Sequence, residues 1–285
     1  MKINGYKFVE YIGSGEFGNV MKMEKNGNYY AVKKIKKMPE LGTKKLIQLK
    51  REEKIPLNLN HDNIIKFFET FNYEGEDYLV SEYFEGKNLK QIIEENRKNK
   101  TNIDQNLIIL IFKQILQALI YLHNQDISHR DIKPENILIN NKKQIKIIDF
   151  GFITYLSYGH GILGGGNTRV GDKNYSPPEI LYDETDKFDL KADIFCLGYT
   201  MFELMFLEKP TITDIFSLLR DNSKINYLKY QYDEEIIELI EQMYKYYIED
   251  RPSAEEALEK LNNIEHKINK NNNINNIIII FFIII

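Results

Sequence analysis

The stretch Ser128–Gly151, SHRDIKPENILINNKKQIKIIDFG, leaves the chain around it little freedom. Two isoleucine-rich runs, Ile137–Ile139 and Ile145–Ile148, flank the polar tetrapeptide Asn140-Asn141-Lys142-Lys143. Such a pattern predicts a β-hairpin. Asp131, Lys133 and Asn136 lead into the first strand, and Asp149 leaves the second. Antiparallel pairing brings those two ends back together. Two carboxylates, a carboxamide and an ammonium then converge. Hard oxygens suit a divalent metal, a cation suits a phosphate, and a carboxylate can take a proton from a hydroxyl.

The 285 residues are 43% hydrophobic and 28% charged, enough for a buried core in one or two domains. The formal net charge of −4 gives no support for a nucleic-acid partner. Cys196, the single cysteine, sits in an apolar run and reads as a buried thiol. No disulfide can form within the chain, which points to a reducing compartment, cytoplasmic or nuclear. The start, MKINGYKFVE, has no apolar signal core, and Lys2 stands where myristoylation needs a glycine. The apolar runs near Ile194–Leu207 and at the end, IIIIFFIII, are too short for a bilayer, so no integral span is expected.

His129-Arg130-Asp131 with Asn136, followed by Asp149-Phe150-Gly151, resembles the catalytic loop and metal-binding motif of eukaryotic protein kinases. The resemblance implies an α+β, bilobal fold. A small antiparallel β-sheet lobe would occupy residues 1–84, and a mainly helical lobe 85–262. ATP and Mg²⁺ would meet in the cleft. Asp131 would orient the acceptor hydroxyl and accept its proton, and Lys133 would neutralise the transferring phosphoryl group. Asn136 and Asp149 would ligate the metal. Lysine two residues after the catalytic aspartate is the serine/threonine-type pattern, so the implied partners are proteins carrying Ser or Thr.

Toward the N-terminus, Tyr6–Tyr11 reads as a strand, and Gly13-Ser14-Gly15-Glu16-Phe17-Gly18 follows it. A lone GxGxxG is weak, but the next segment, Val20–Met23, is again strand-like, unlike a dinucleotide fold. By resemblance Gly13, Gly15 and Gly18 let backbone amides approach the phosphates, and Phe17 caps them. Val20 and Ala31 would sandwich the adenine, with Ile12 and Leu138 also in the nucleotide site. Tyr29–Ile35 is a third strand, and alternation puts Ala31 and Lys33 on one face. Lys33 would hold the α- and β-phosphates. Its acidic partner would come from a helix over Leu41–Leu57. Counting back from His61 selects Glu52, with Glu53 as runner-up. Pro56, four residues after Glu52, would end or kink that helix. Ile64–Thr70 and Tyr78–Ser81 read as further strands. The hinge would be Glu82-Tyr83-Phe84, bonding adenine through the Glu82 and Phe84 backbones and leaving their side chains little specified. Ser81 falls at the gatekeeper position, implying room behind the adenine, and Asn88 falls where many kinases bond the ribose.

Helical spacing of Leu107, Leu110, Ile111, Ile115, Ala118, Leu119 and Leu122 predicts a buried helix leading to the catalytic loop. Gly151–Glu179 matches the activation segment. Thr168 is its favoured phosphosite, served by an activating kinase or by self-phosphorylation, with Arg130 and Arg51 as phosphate partners. Asp172 stands where related kinases carry threonine. Glu179 would pair with Arg251, and Asp193 would anchor the catalytic loop. Helices are expected over Thr211–Arg220, Asp233–Tyr247 and Ala254–Asn262. The Asn/Ile-rich residues 263–285 are expected to be disordered. The implied function is a Mg·ATP-dependent protein serine/threonine kinase. Asp172 and Pro56 motivate the alternative, a nucleotide-binding scaffold with weak or no activity.

Overall fold

The computed structural model describes residues 1–15, 18–35, 55–151, 153–155, 174–182, 189–208 and 231–284. Six strands form the first layer: β1 (Lys2–Ile3), β2 (Tyr6–Gly15), β3 (Gly18–Lys25), β4 (Asn28–Ile35), β5 (Phe67–Tyr73) and β6 (Glu76–Glu82). They make one antiparallel sheet in the order β1-β2-β3-β4-β6-β5. Three of its hairpins turn on Asn4-Gly5, Asn26-Gly27 and Glu74-Gly75, each pair at positive φ. That geometry matches the twist of the flanking strands, and glycine adopts it without a Cβ penalty. On one face Met21, Met23, Val32, Tyr78 and Val80 are buried with Ile3 and Tyr6. Tyr6 packs on Tyr30 and Phe71 at centroid distances of 5.3 and 6.0 Å, and Phe71 stacks on Tyr78 at 5.3 Å. Such aromatic pairs contribute about 0.5–1.5 kcal/mol each beyond area burial.

The strand expected from Ile64 begins at Phe67. Ile64 instead makes an isolated parallel bridge to Ile147, which ties the sheet's approach loop to the central hairpin. Most of the helix expected over Leu41–Leu57 lies outside the described residues. Its end is described, and there Pro56 opens a 3-10 turn, Pro56–Asn58, at the position where a missing N–H costs nothing.

The second layer is mainly helical. It contains α1 (Leu89–Asn99), α2 (Gln105–His123), α3 (Pro178–Tyr182), α4 (Lys191–Phe206), α5 (Glu234–Met243) and α6 (Ala254–Ile284). Short strands β7 (Lys87–Asn88), β8 (Ile127–Ser128), β9 (Ile137–Ile139), β10 (Ile145–Ile147) and β11 (Thr154–Tyr155) run between them. Helix α1 is an element that the sequence pattern does not announce, because its composition is mostly polar. Asn88 caps it: its Oδ1 accepts from Gln91 N at 2.9 Å while Gln91 Oε1 accepts from Asn88 N at 2.9 Å. The side chain that the resemblance assigns to a ribose thus serves the helix start.

Helix α2 is long and apolar enough to cross a membrane, but it is the core helix of this layer, with Ile108, Ile111, Phe112, Ile115, Leu116 and Leu119 fully buried. Helix α4 is buried on all sides from Ala192 to Met205, its buried polar side chains Asp193, Thr200 and Glu203 included. Helix α5 ends at Met243, short of the expected Tyr247. The helix expected over Thr211–Arg220 lies outside the described residues.

The last helix runs past its expected end at Asn262, to Ile284. Leu261, Ile264 and Ile268 share one helix face and are buried, while Lys113 reaches Glu265 at 2.7 Å from α2. Their spacing of three and four residues is hidden inside an Asn/Ile-rich composition.

Candidate active site

Strands β9 and β10 pair with Ile139 opposite Ile145 and Ile137 opposite Ile147, so the predicted hairpin is present. Asn140 shapes its turn, its Oδ1 accepting from the amides of Lys142 (2.9 Å) and Gln144 (3.0 Å). Gln114 of α2 braces it from outside, accepting from Ile145 N at 3.0 Å and donating to Lys143 O at 2.9 Å. At the open end Ile148 N donates to Asn136 O at 2.8 Å. That bond sets Asn136 and Asp149 side by side.

Asp131 is buried and sits at the centre of the group. Lys133 Nζ lies 2.9 Å from its carboxylate. Asn136 Nδ2 donates to Asp131 Oδ2 at 2.6 Å and to Asp131 O at 2.9 Å. Both amide donors are therefore spent on Asp131, and the carboxamide oxygen of Asn136 remains for another partner. Lys33 arrives from β4 in the other layer and donates to Asp149 Oδ1 at 2.7 Å; Gly151 N reaches the same oxygen at 3.3 Å. Both bonds fall on Oδ1, which leaves Asp149 Oδ2 among the described residues. Two hard oxygens, Asn136 Oδ1 and Asp149 Oδ2, fit a hard divalent cation. Glu52 and Glu53, the candidate partners of Lys33, lie outside the described residues, as does Phe17.

The loop is held from beneath by α4. Asp193, fully buried, accepts from His129 N at 2.9 Å and Arg130 N at 2.7 Å, and His123 Nε2 lies 3.0 Å from it. His123 is a partner that no sequence motif marks. Burial pushes the Asp193 carboxyl up, but His123, His129 and the Arg130 amide outweigh it and hold the group below its ordinary value. Arg130 and Asp149 have φ of 64° and 61°, a left-handed backbone costing about 1–3 kcal/mol each in non-glycine residues. Phe150 locks the second of them. Its ring meets His129 edge-on at 4.7 Å and Phe67 at 5.5 Å.

Burial also holds the fully buried His129 imidazole below its ordinary value, against the raising pull of Asp193, Asp131 and Asp149. A depressed folded pKa gives stability that is complete above the unfolded pKa and is lost as pH falls. For His129 the loss begins below about pH 6.5, and for Asp193 below about pH 4. Each such proton contributes a slope of up to about 1.4 kcal/mol per pH unit. Thermal melts from pH 8 to 5 should show Tm falling below pH 6.5, and His129→Phe should weaken that dependence. A native Tm flat across this range would contradict the assignment.

The residues that the resemblance assigns to the nucleotide are placed as follows. Ala31 and Lys33 are half-buried, while Val32 between them is fully buried in the small core. Val20 faces Lys33 across the strand pair. Ile12 is exposed at 42% on β2, and Leu138 is half-buried between the buried Ile137 and Ile139. Gly13 has room for a Cβ, whereas at Gly18 a Cβ would strike Lys34 O at 1.8 Å, so this glycine is required by the β3–β4 approach itself. The backbone of Gly15 ends β2. Ser81 Oγ lies 3.5 Å from Ala31 O. Phe84 packs on the large core. Glu82 departs from expectation: its carboxylate is engaged, accepting from Lys66 N at 2.8 Å and pairing with Lys146 at 2.7 Å.

Thr168, Asp172 and Arg51 lie outside the described residues. The expected Glu179–Arg251 pair is present and bidentate, at 2.7 Å on both arms.

Residues 6–261 match the Protein kinase domain family. Over 270 residues the chain is 32% identical to calcium-dependent protein kinase 4 of Plasmodium berghei (strain Anka), spanning 89% of this chain and 48% of that protein. It is 33% identical to serine/threonine-protein kinase cds1 of Schizosaccharomyces pombe, spanning 89% of this chain and 57% of the relative. Against serine/threonine-protein kinase 36 of Pongo abelii it is 35% identical over 217 residues, 75% of this chain and 16% of that protein. The chain thus spans about half the length of the first two relatives and far less of the third.

Proposed function

The chain belongs to the protein kinase family, and on that footing we propose that it transfers the γ-phosphoryl group of Mg·ATP to serine and threonine hydroxyls of protein substrates. The observation that carries this is the convergence of Asp131, Lys133 and Asn136 within one hydrogen-bonded group, beside the Lys33–Asp149 pair. Members of the family use ATP with a divalent metal. The oxygens left over at Asn136 and Asp149 favour magnesium here. When bound, the metal supplies charge neutralisation to the phosphate oxygens. The protein's own groups do the rest. Asp131 orients the acceptor hydroxyl and takes its proton. Lys133, already fixed on Asp131, places positive charge where the transferring group will lie. Lys33 swaps its contact with Asp149 for the α- and β-phosphates, with Glu52 as its acidic partner. Ile12, Gly13, Gly15, Gly18, Val20, Ala31, Ser81, Glu82, Phe84 and Leu138 frame the nucleotide. Positioning and electrostatics carry most of such catalysis.

Serine/threonine preference is supported by Lys133, two residues after Asp131, and by the names of the relatives. Phosphate on Thr168, added by an activating kinase or by the protein itself, belongs to the same reading. Mass spectrometry after incubation with Mg·ATP, with and without the Asp131→Asn change, separates the two sources. A cytoplasmic or nuclear location is supported by the buried free thiol of Cys196, and fractionation of tagged protein checks it.

The deciding experiment offers Mg·ATP and a degenerate Ser/Thr/Tyr peptide library to the native chain. Label on Ser and Thr peptides supports the proposal. Tight, Mg²⁺-dependent ATP binding without transfer, before and after a phosphomimetic change at Thr168, would overturn it in favour of a scaffold.

A further inference from the structure

Four polar side chains line one stripe of the otherwise apolar α4: Asp193, Cys196, Thr200 and Glu203, spaced three, four and three residues apart. That spacing stacks them on one face. Between them they reach the loop of Asp131, the residue Tyr175 and, from α1, Lys90. Asp193 holds the His129 and Arg130 amides. Thr200 Oγ1 donates to Cys196 O of its own helix at 2.9 Å and lies 3.3 Å from Ile132 O, next to Asp131. Cys196 Sγ donates to Tyr175 O at 3.2 Å. Glu203 accepts from the Tyr175 hydroxyl on one oxygen and from Lys90 Nζ, at 2.7 Å, on the other. One rigid helix therefore sets the loop of Asp131 and the stretch around Tyr175 relative to each other. Cys196 and Glu203, which grip Tyr175 at its two ends, are about 10 Å apart along the axis.

Glu203 is the unusual member, because its side chain is fully buried. A buried carboxylate is tolerated only with a cation or donors to hold it. The cation comes from α1, a helix just beyond the hinge, on a side chain that is still 25% exposed. Without it, the buried carboxylate would have no cation beside it, and its bond to the Tyr175 hydroxyl would no longer be held in one geometry. Tyr175 leads directly into Pro177 and α3, whose Glu179 is held by Arg251. Cys196, which touches Tyr175 O, and Thr200, which touches Ile132 O, are four residues apart on α4, about 6 Å along its axis, so this stretch lies beside the loop of Asp131.

We propose that Lys90 is a positioning residue for the phosphoryl acceptor: by neutralising Glu203 it fixes Tyr175, and with it the surface beside Asp131 on which the acceptor peptide lies. This rests on the phosphotransfer reading above. The test compares native protein, Lys90→Met and Lys90→Arg. Lys90→Met keeps length and apolar bulk but removes the charge. Its KM for the peptide pool should rise about fivefold or more, while acceptor-free ATP hydrolysis and the KM for ATP stay within about twofold. Hydrogen exchange should quicken at the amides of Tyr175, Ser176, Glu179 and Ile180. Lys90→Arg should restore all of these. An unchanged peptide KM in Lys90→Met overturns the proposal, and so does a matched fall in ATP hydrolysis, the mark of a general structural role. If the native chain transfers no phosphate, the function proposed above fails on its own. The exchange comparison then still decides whether Lys90 holds Tyr175, and unchanged exchange overturns it.

Discussion

Asp131→Asn is expected to lower kcat by about 10²–10⁴-fold, the usual contribution of a positioned base, while ATP still binds. The side chain is 3% exposed and accepts from both Lys133 and Asn136. Asparagine keeps the shape but removes the charge and the basicity. It offers one side-chain oxygen where the carboxylate offers two, and its own amide N–H groups would face one of these donors. That defect costs about 1–3 kcal/mol of stability, and a melt of the variant measures it separately. Single-turnover transfer at saturating Mg·ATP isolates the chemical step. Loss of transfer with ATP affinity unchanged identifies Asp131 as the group acting on the acceptor. Retention of more than about a tenth of native activity would remove it from that role.

The second large effect concerns stability. Arg251→Met should destabilise the protein by about 3–5 kcal/mol, the cost of stripping one partner from a buried pair. Arg251 is 1% exposed. Its guanidinium grips both oxygens of Glu179 at 2.7 Å, and also donates to Lys245 O at 2.8 Å and Tyr246 O at 3.0 Å. It lies over the Phe195 ring at 4.8 Å. Methionine fills part of the volume but leaves a carboxylate and these carbonyls without their donor. For a chain of this size the loss corresponds to a Tm lower by roughly 10 °C. The double variant Arg251→Met/Glu179→Leu should recover part of it, since the orphaned charge is gone. Raising the salt concentration should do little, because buried pairs are weakly screened. A single-variant Tm within about 2 °C of native would show that the pair is not structural.

The central site is legible in the sequence because its parts are local. Isoleucine-rich runs around a polar turn specify the hairpin, and alternation on β4 puts Ala31 and Lys33 toward the cleft with Val32 behind. Asn4-Gly5 and Asn26-Gly27 carry an equally readable hairpin signal, although the expectations above do not include them. Helix α1 escapes because its apolar positions are sparse, and α6 because asparagine dilutes the face formed by Leu261, Ile264 and Ile268. The signal for Glu203 is present too: a lone carboxylate inside the apolar run of α4 must be buried and must find a cation.

What the amino-acid order determined by itself is the set of chemical groups and their local geometry. Asp131, Lys133, Asn136 and Asp149 are brought to the open end of one hairpin by backbone preferences that act over a few residues. Pairing between distant charges was decided only by the tertiary structure. Lys33 meets Asp149, 116 residues away; Lys90 meets Glu203, 113 away; and His123 joins Asp193, 70 away. Several residues of the right charge compete for each of these places in the sequence. The choice among them depends on which carboxylates lose their water when the layers close, and desolvation is a property of the packed interior, not of any segment of the chain.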